Sequence, residues 1–185
     1  MNHFVAKAIP NGYSWTLASR CGQILSDIED KFGKRDRNFT LLGIEFSADG
    51  PQIWYPNNCK NIIIQLGLEC LTNNSQACYQ LAHECVHLLS PNEMRKANFL
   101  EEGLATYYSK YYMKNFMSET WTTNDSKYLK ASSLVEKLLF SKPQIIKELR
   151  EIECNITNIN KELLMLKTSD ILNEEEINIL VSPFY

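Results

Sequence analysis

Apolar residues recur at three- and four-residue steps in the first patterned segment of the chain, from about 14 to 32. Residues at this spacing share one face of a helix, so the segment has the pattern of an amphipathic helix. Gly33 follows at the kind of position where helices end. We therefore predict a first helix over 14–32.

Three apolar runs rich in β-forming residues come next, at 39–46, 52–55 and 61–68. Turn-forming residues separate them, D-G-P at 49–51 and P-N-N at 56–58. Short strands joined in this way predict a small, largely antiparallel sheet.

The rest of the chain has helical periodicity. N-N-S at 73–75 supplies turn residues and an N-cap for a helix over about 76–89, which S-P at 90–91 stops. A further helix is predicted from 94 or 98 to 116, and the polar stretch at 121–126 predicts a loop. Beyond this loop the predicted helices are about 126–140, 144–153, 160–167 and 173–181.

This order of elements predicts an α+β fold in a single domain over 1–185. Residues 1–72 supply a helix and the small sheet, 73–117 a pair of helices, and 126–185 a helical C-terminal subregion. The apolar content of 44% and the charged content of 22% are those of a folded domain with a buried core.

Charge and the absence of long apolar runs narrow the partners that we expect. The formal net charge of −3 lacks the basic excess that phosphates attract, which argues against nucleic acid and against an anionic membrane surface. The start of the chain has no signal-peptide core, and no run approaches the roughly 18 apolar residues of a membrane span. We therefore expect a cytoplasmic protein, with its oligomeric state left open.

The cysteines do not form C-x-x-C pairs, which argues against a cysteine zinc site and against a thioredoxin-like motif. In a reducing compartment we expect reduced and mostly buried thiols. The six positions are Cys21, Cys59, Cys70, Cys78, Cys85 and Cys154.

The segment H-E-C-V-H at 83–87 has the spacing of a metal site on a helix. Residues four apart lie about 40° apart around the helix axis, so the His83 and His87 imidazoles can reach one cation. Cys85 falls on the opposite, apolar face and is predicted to belong to the core. Glu84 lies on the shoulder of the metal face, where its carboxylate can act as a general base without ligating the metal.

A catalytic zinc ion generally takes three protein ligands and leaves one position open for water or substrate. No histidine follows His87, and His3 is remote in the sequence, so we expect the third ligand to be a carboxylate. Glu101 and Glu102 both qualify. The Gly103 that follows them weakens a helix and would allow close packing against the histidine helix.

H-E-C-V-H followed by L-E-E-G-L-A-T-Y-Y resembles the gluzincins, a group of zinc metallopeptidases, in particular their aminopeptidase-N-like and thermolysin-like members. In those families the Glu immediately before Gly is the third zinc ligand. The resemblance, which covers about 76–112, thus implies Zn²⁺ held by His83, His87 and Glu102. It leaves Glu101 as a solvated or outer carboxylate about 100° further round the helix.

The resemblance also implies an activity, zinc-dependent hydrolysis of a peptide bond in a peptide or protein substrate. Zinc lowers the pKa of its bound water toward about 7, and Glu84 takes the water proton and passes it to the leaving amine. The G-x-M-E-N segment of the aminopeptidases is not present, so we expect an endopeptidase rather than an aminopeptidase.

Two further parts of the site follow from the resemblance. Related enzymes bind substrate as an added strand along a sheet edge, for which 61–66 is the best candidate, although an interior strand is equally open. They also use a Tyr or His to stabilise the oxyanion. The tyrosine candidates here are Tyr107, Tyr108, Tyr111, Tyr112 and Tyr128.

Two other interpretations remain open on the sequence. A catalytically inactive zinc module would keep His83, His87 and Glu102 but lack an open cleft. A helical protein-interaction module would bind no metal at all.

Overall fold

The computed structural model describes residues 8–10, 12–13, 15–56, 60–93 and 96–185. Within these ranges the chain forms seven α-helices, at the positions that the periodicity predicts and with ends shifted by a few residues. They are α1 (Leu17–Phe32), α2 (Asn74–His87), α3 (Phe99–Tyr112), α4 (Ser126–Ser141), α5 (Ile145–Ile152), α6 (Lys161–Thr168) and α7 (Glu174–Val181). Several predicted features lie outside the described residues, namely His3, the helix start at 14, residues 57–58 of the second turn, Cys59 and the earlier helix start at 94.

The start of α1 differs from the prediction because the cap is Thr16. The Thr16 hydroxyl accepts a hydrogen bond from the Ser19 backbone N–H, and the Ser19 side chain bonds back to the Thr16 backbone. Ahead of this cap, β1 (Ala8–Ile9) and β2 (Gly12–Tyr13) form a short antiparallel pair. The hydrophobic pattern did not predict this pair, since two residues are too few to show an alternation.

The sheet contains β3 (Thr40–Ser47), β4 (Gln52–Trp54) and β5 (Asn61–Gly67) in the order β3-β5-β4. β5 is parallel to β3 and antiparallel to β4, so the prediction of a largely antiparallel sheet is wrong for the longer pair. The prediction assumed that strands adjacent in sequence pair with each other. Instead β5 enters between β3 and β4, where its apolar run is covered on both sides.

The position of β5 also settles which strand lies at the sheet edge. Ile62, Ile64 and Leu66 of β5 are fully buried, and the strand has a neighbour on each side. The prediction that 61–66 forms the edge strand is therefore wrong, and the alternative of an interior strand is confirmed. The short β4 is the edge strand on that side of the sheet.

One hydrophobic cluster joins α1, β5, α2, α3 and the C-terminal helices. Cys85 belongs to it, as predicted, and its Sγ lies 3.6 Å from that of Cys21 on α1. The described cysteines are free thiols, all buried except Cys154.

Gly103 lies at a close crossing of helices, but the partner is α4 and not the histidine helix as predicted. A Cβ at Gly103 would lie 2.6 Å from the carbonyl oxygen of Ala131 and 2.8 Å from Cγ2 of Val135. The residue is therefore required for the approach of α4 to α3.

Arg150 on α5 connects the C-terminal subregion to the ends of two earlier helices. Its guanidinium donates to the carbonyl oxygens of Phe32 and Gly33 at the end of α1, at 2.7 and 2.9 Å. It also donates to the backbone carbonyl oxygens of Lys34 and of Leu89, which lies just after α2, at 2.9 Å each. Among the described residues, no helix combines the length and the apolar character needed to cross a membrane.

Candidate metal centre

Two asparagines begin the helices that carry the candidate ligands. Asn73 accepts a hydrogen bond from the backbone N–H of Gln76 and caps α2, at the first residue of the predicted capping stretch 73–75. Asn98 accepts one from the backbone N–H of Glu101 and caps α3. The two helices pack against each other, which brings the HEXXH turn of α2 opposite the first turn of α3.

The structure brings His83, His87 and Glu102 together. His83 Nε2 lies 3.1 Å from Glu102 Oε2, and His87 Nε2 lies 3.9 Å from Glu102 Oε1. The three ligand atoms of the group all lie within 4.8 Å of one another.

This donor set fits a zinc ion. Bonds of about 2.0–2.2 Å in a tetrahedron place ligand atoms roughly 3.4 Å apart, between the two separations observed here. Two imidazoles and one carboxylate are a ligand set found in catalytic zinc sites, and they leave one coordination position for water or substrate.

Glu101 contacts the candidate ligand His87 on the side away from Glu102. Its side chain is buried, and Oε1 lies 2.8 Å from Nδ1 of His87. The expectation of a solvated carboxylate is wrong, whereas the alternative of an outer carboxylate agrees with this contact. A proton on Nδ1 leaves the lone pair of Nε2 free to face Glu102 and a metal ion.

The charges of the cluster favour a bound cation. Burial disfavours a charged imidazolium, but the carboxylates of Glu102 and Glu101 outweigh burial and raise the pKa of His87 to about 10. Burial also opposes ionisation of Glu102, yet His87 and His83 lower the pKa of its carboxyl group. A divalent cation held by His83, His87 and Glu102 would replace the proton on Nε2 of His87 and balance the charge of the Glu102 carboxylate.

Glu84 is buried and lies along the same cleft as the two histidines. Burial raises the pKa of its carboxyl group, against the opposing effect of His87 and His83. A carboxylate in such surroundings is a stronger base than one in water.

The candidate ligands line the wall of an open cleft of about 680 Å³. One side of the cleft is formed by the edge strand, through Gln52 and Ile53 of β4 and the adjacent Tyr55. The other sides come from α2, α3, the segment between these two helices, the loop before α4 and the start of α4, with Thr157 and Tyr185 also in the lining.

Of the five tyrosine candidates, only Tyr128 lines this cleft. Its ring centroid is 5.8 Å from that of His83. Tyr108 and Tyr112 are buried against α1, and Tyr107 and Tyr111 border a separate, smaller recess.

Tyr185 is a cleft residue that sequence reasoning missed, because it lies far from both motifs. Its hydroxyl is 2.5 Å from that of Tyr128, and Tyr185 is one of the groups that lower the pKa of the Glu102 carboxyl group. Both phenols therefore belong to the surroundings of this candidate ligand.

The arrangement can support metal-assisted hydrolysis, since three candidate ligand atoms, a buried carboxylate and phenol donors share one accessible cleft.

Comparison of the chain with protein-family models, curated proteins and solved structures finds no match.

Proposed function

We propose that this protein is a zinc-dependent metallopeptidase with a gluzincin-type site in a zincin-like fold. The observation that carries the proposal is the convergence of His83, His87 and Glu102 on the wall of an open cleft, with Glu84 beside them. A catalytically inactive zinc module needs no such cleft, so the geometry favours an enzyme.

Each residue of the site has a part in the proposed reaction. His83, His87 and Glu102 would hold the zinc ion, which would serve as a Lewis acid toward the attacking water and the scissile carbonyl. Glu84 accepts the proton of the attacking water and delivers it to the leaving amine. Tyr128 donates a hydrogen bond to the oxyanion that develops on the carbonyl oxygen.

We propose that the substrate backbone binds along the edge strand β4. β4 pairs with β5 on one side and, among the described strands, with none on the other. An extended peptide can therefore hydrogen-bond to its open side, as in other cases of strand addition.

We propose that such a peptide pairs antiparallel with β4, and the ends of β4 then fix its direction. Gln52, at the start of β4, pairs with Gln65 near the end of β5, where Gln80 of α2 bonds the Gly67 backbone N–H at 2.8 Å. The residue after β4, Tyr55, lies near Asn92, which follows the end of α2. A peptide antiparallel to β4 thus runs from the Asn92 end toward the Gln80 end.

The residue after the scissile bond then faces a recess at the Gln80 end. Tyr79 and Trp121 form its aromatic wall, with ring centroids 4.4 Å apart. Thr106 and Thr123 also line the cleft there, and none of these side chains is charged. The recess fits a large, uncharged side chain on the leaving-amine side of the cleaved bond.

A Glu84→Gln variant tests the function. It keeps the size of the side chain but cannot accept the proton, so we expect retained zinc and a loss of peptide hydrolysis of about 10²–10⁴-fold. Zinc content and the products of a peptide library are measured for both proteins. Unchanged hydrolysis would refute Glu84 as the base, and a zinc-loaded wild type without hydrolysis would support the inactive zinc module.

A further inference from the structure

A short turn from the C-terminal subregion lies against the metal centre. This turn is the 3₁₀ segment Ile156–Asn158, between α5 and α6. Within it, the hydroxyl of Thr157 donates to Oε2 of Glu101 at 2.5 Å, while Oε1 of the same carboxylate contacts Nδ1 of His87. A continuous chain of hydrogen bonds thus leads from Thr157 to a candidate ligand.

The turn is fixed to both ligand-bearing helices. The amide of Asn98, the cap of α3, donates to the carbonyl oxygens of Ile156 and Thr157 at 3.4 and 3.5 Å. Ser90, after the end of α2, accepts from the Ile156 backbone N–H at 3.2 Å. Asn155 accepts from the Thr157 backbone N–H at 3.0 Å. These contacts hold the hydroxyl of Thr157 in one place relative to α2 and α3.

We infer that Thr157 is a positioning residue for the metal, acting through Glu101 on His87; this inference rests on the proposed zinc site. A carboxylate that accepts from Thr157 on one oxygen has its plane fixed, so its other oxygen holds the His87 ring at one angle and in one tautomer. Nε2 of His87 then points at Glu102 before any metal arrives. Preorganisation of this kind strengthens metal binding because less freedom is lost on binding.

The contact also keeps Glu101 away from the metal. Glu101 is adjacent in sequence to the proposed ligand Glu102, and its own carboxylate could also bind a metal ion. With both oxygens engaged, by His87 and by Thr157, Glu101 stays behind the imidazole, and the fourth coordination position stays open.

Thr157→Val tests the inference, since it removes the hydroxyl with little change of shape. Thr157 is only partly buried on a surface turn, so the variant is expected to fold. We expect zinc affinity, measured by competition with a chelator, to fall by about 10–100-fold. Thr157→Ser keeps the hydroxyl and is expected to restore the affinity. In Co²⁺-loaded protein, the visible absorption bands are expected to shift in the valine variant alone.

Thr168→Val is the matched control, because Thr168 on α6 is fully buried and its hydroxyl bonds only the Leu164 carbonyl among the described residues. It is expected to leave zinc affinity unchanged, even if it lowers the urea midpoint. Equal affinity in wild type and Thr157→Val would overturn the inference while leaving the zinc site intact, as would equal losses in Thr157→Val and Thr168→Val. Absence of zinc binding by the wild type would instead defeat the proposed function and the inference together.

Discussion

Glu101 and Glu102 are adjacent in sequence, yet the structure gives them different surroundings. They point about 100° apart around α3, so only Glu102 faces both histidine Nε2 atoms, while Glu101 lies behind the ring of His87. The side of the helix on which each carboxylate lies follows from the sequence. The partners of Glu101 do not, because Thr157 is brought to it from a distant part of the chain.

Tyr128→Phe tests the proposed oxyanion donor. The phenol lies in the cleft near His83, and its loss is expected to lower kcat/KM for peptide hydrolysis by about 10²–10³-fold. Zinc content is expected to stay the same, since Tyr128 is not a proposed ligand. The control is Tyr107→Phe, which removes a phenol outside the cleft. Equal rates in wild type and Tyr128→Phe would exclude this role.

At the scale of elements, the helices could be predicted and the strand pairing could not. Helical periodicity is a local property, which is why the predicted segments at 126–140 and 160–167 correspond closely to α4 and α6. Pairing depends on which strand buries its apolar run between two others, and no local pattern records that choice. The same limit explains why Gly103 was assigned to the wrong helix crossing.

Gly103→Ala tests that crossing. The added methyl group would meet Ala131 and Val135 of α4 at less than van der Waals distance, so the free energy of unfolding is expected to fall by about 1–3 kcal/mol. The control is Gly22→Ala on α1, where nothing lies within 4 Å of the new Cβ. The free energy of unfolding of this control is expected to rise by about 0.5–1 kcal/mol. Urea denaturation measures both, and an unchanged midpoint for Gly103→Ala would contradict the close packing.

The recess beside Tyr79 and Trp121 leads to a prediction about specificity. Peptides with Phe or Leu directly after the cleaved bond are expected to react about tenfold faster or more than peptides with Asp or Lys there. Trp121→Ala is expected to remove this preference without loss of zinc. A preference that survives in the variant, or that acts before the cleaved bond, would contradict the proposed direction of the substrate.

At the scale of the whole molecule, the C-terminal helices are joined to the site region and not appended to it. Arg150 connects α5 to the ends of α1 and α2, and the turn with Thr157 reaches Glu101 beside the candidate metal centre. The helices themselves could be predicted from the sequence. Their contacts could not, because a buried arginine and a surface arginine have the same local sequence pattern.

Arg150→Met tests this connection. The change leaves several backbone carbonyl groups without a donor, and we expect the free energy of unfolding to fall by about 2–4 kcal/mol. The matched control is Lys137→Met, whose exposed ion pair with Glu176 is expected to contribute about 0–1 kcal/mol. Urea denaturation compares the two variants, and equal losses would show that Arg150 does not join the two parts.

The zinc content of the purified protein is the measurement on which the proposed metal centre depends. Mass spectrometry of the native protein, in wild type and in Glu102→Gln, measures the stoichiometry. We expect about one zinc ion per chain in the wild type and its loss from the variant at the same zinc concentration. A wild-type chain that holds no zinc, or a variant that holds it equally well, would contradict the proposed metal centre.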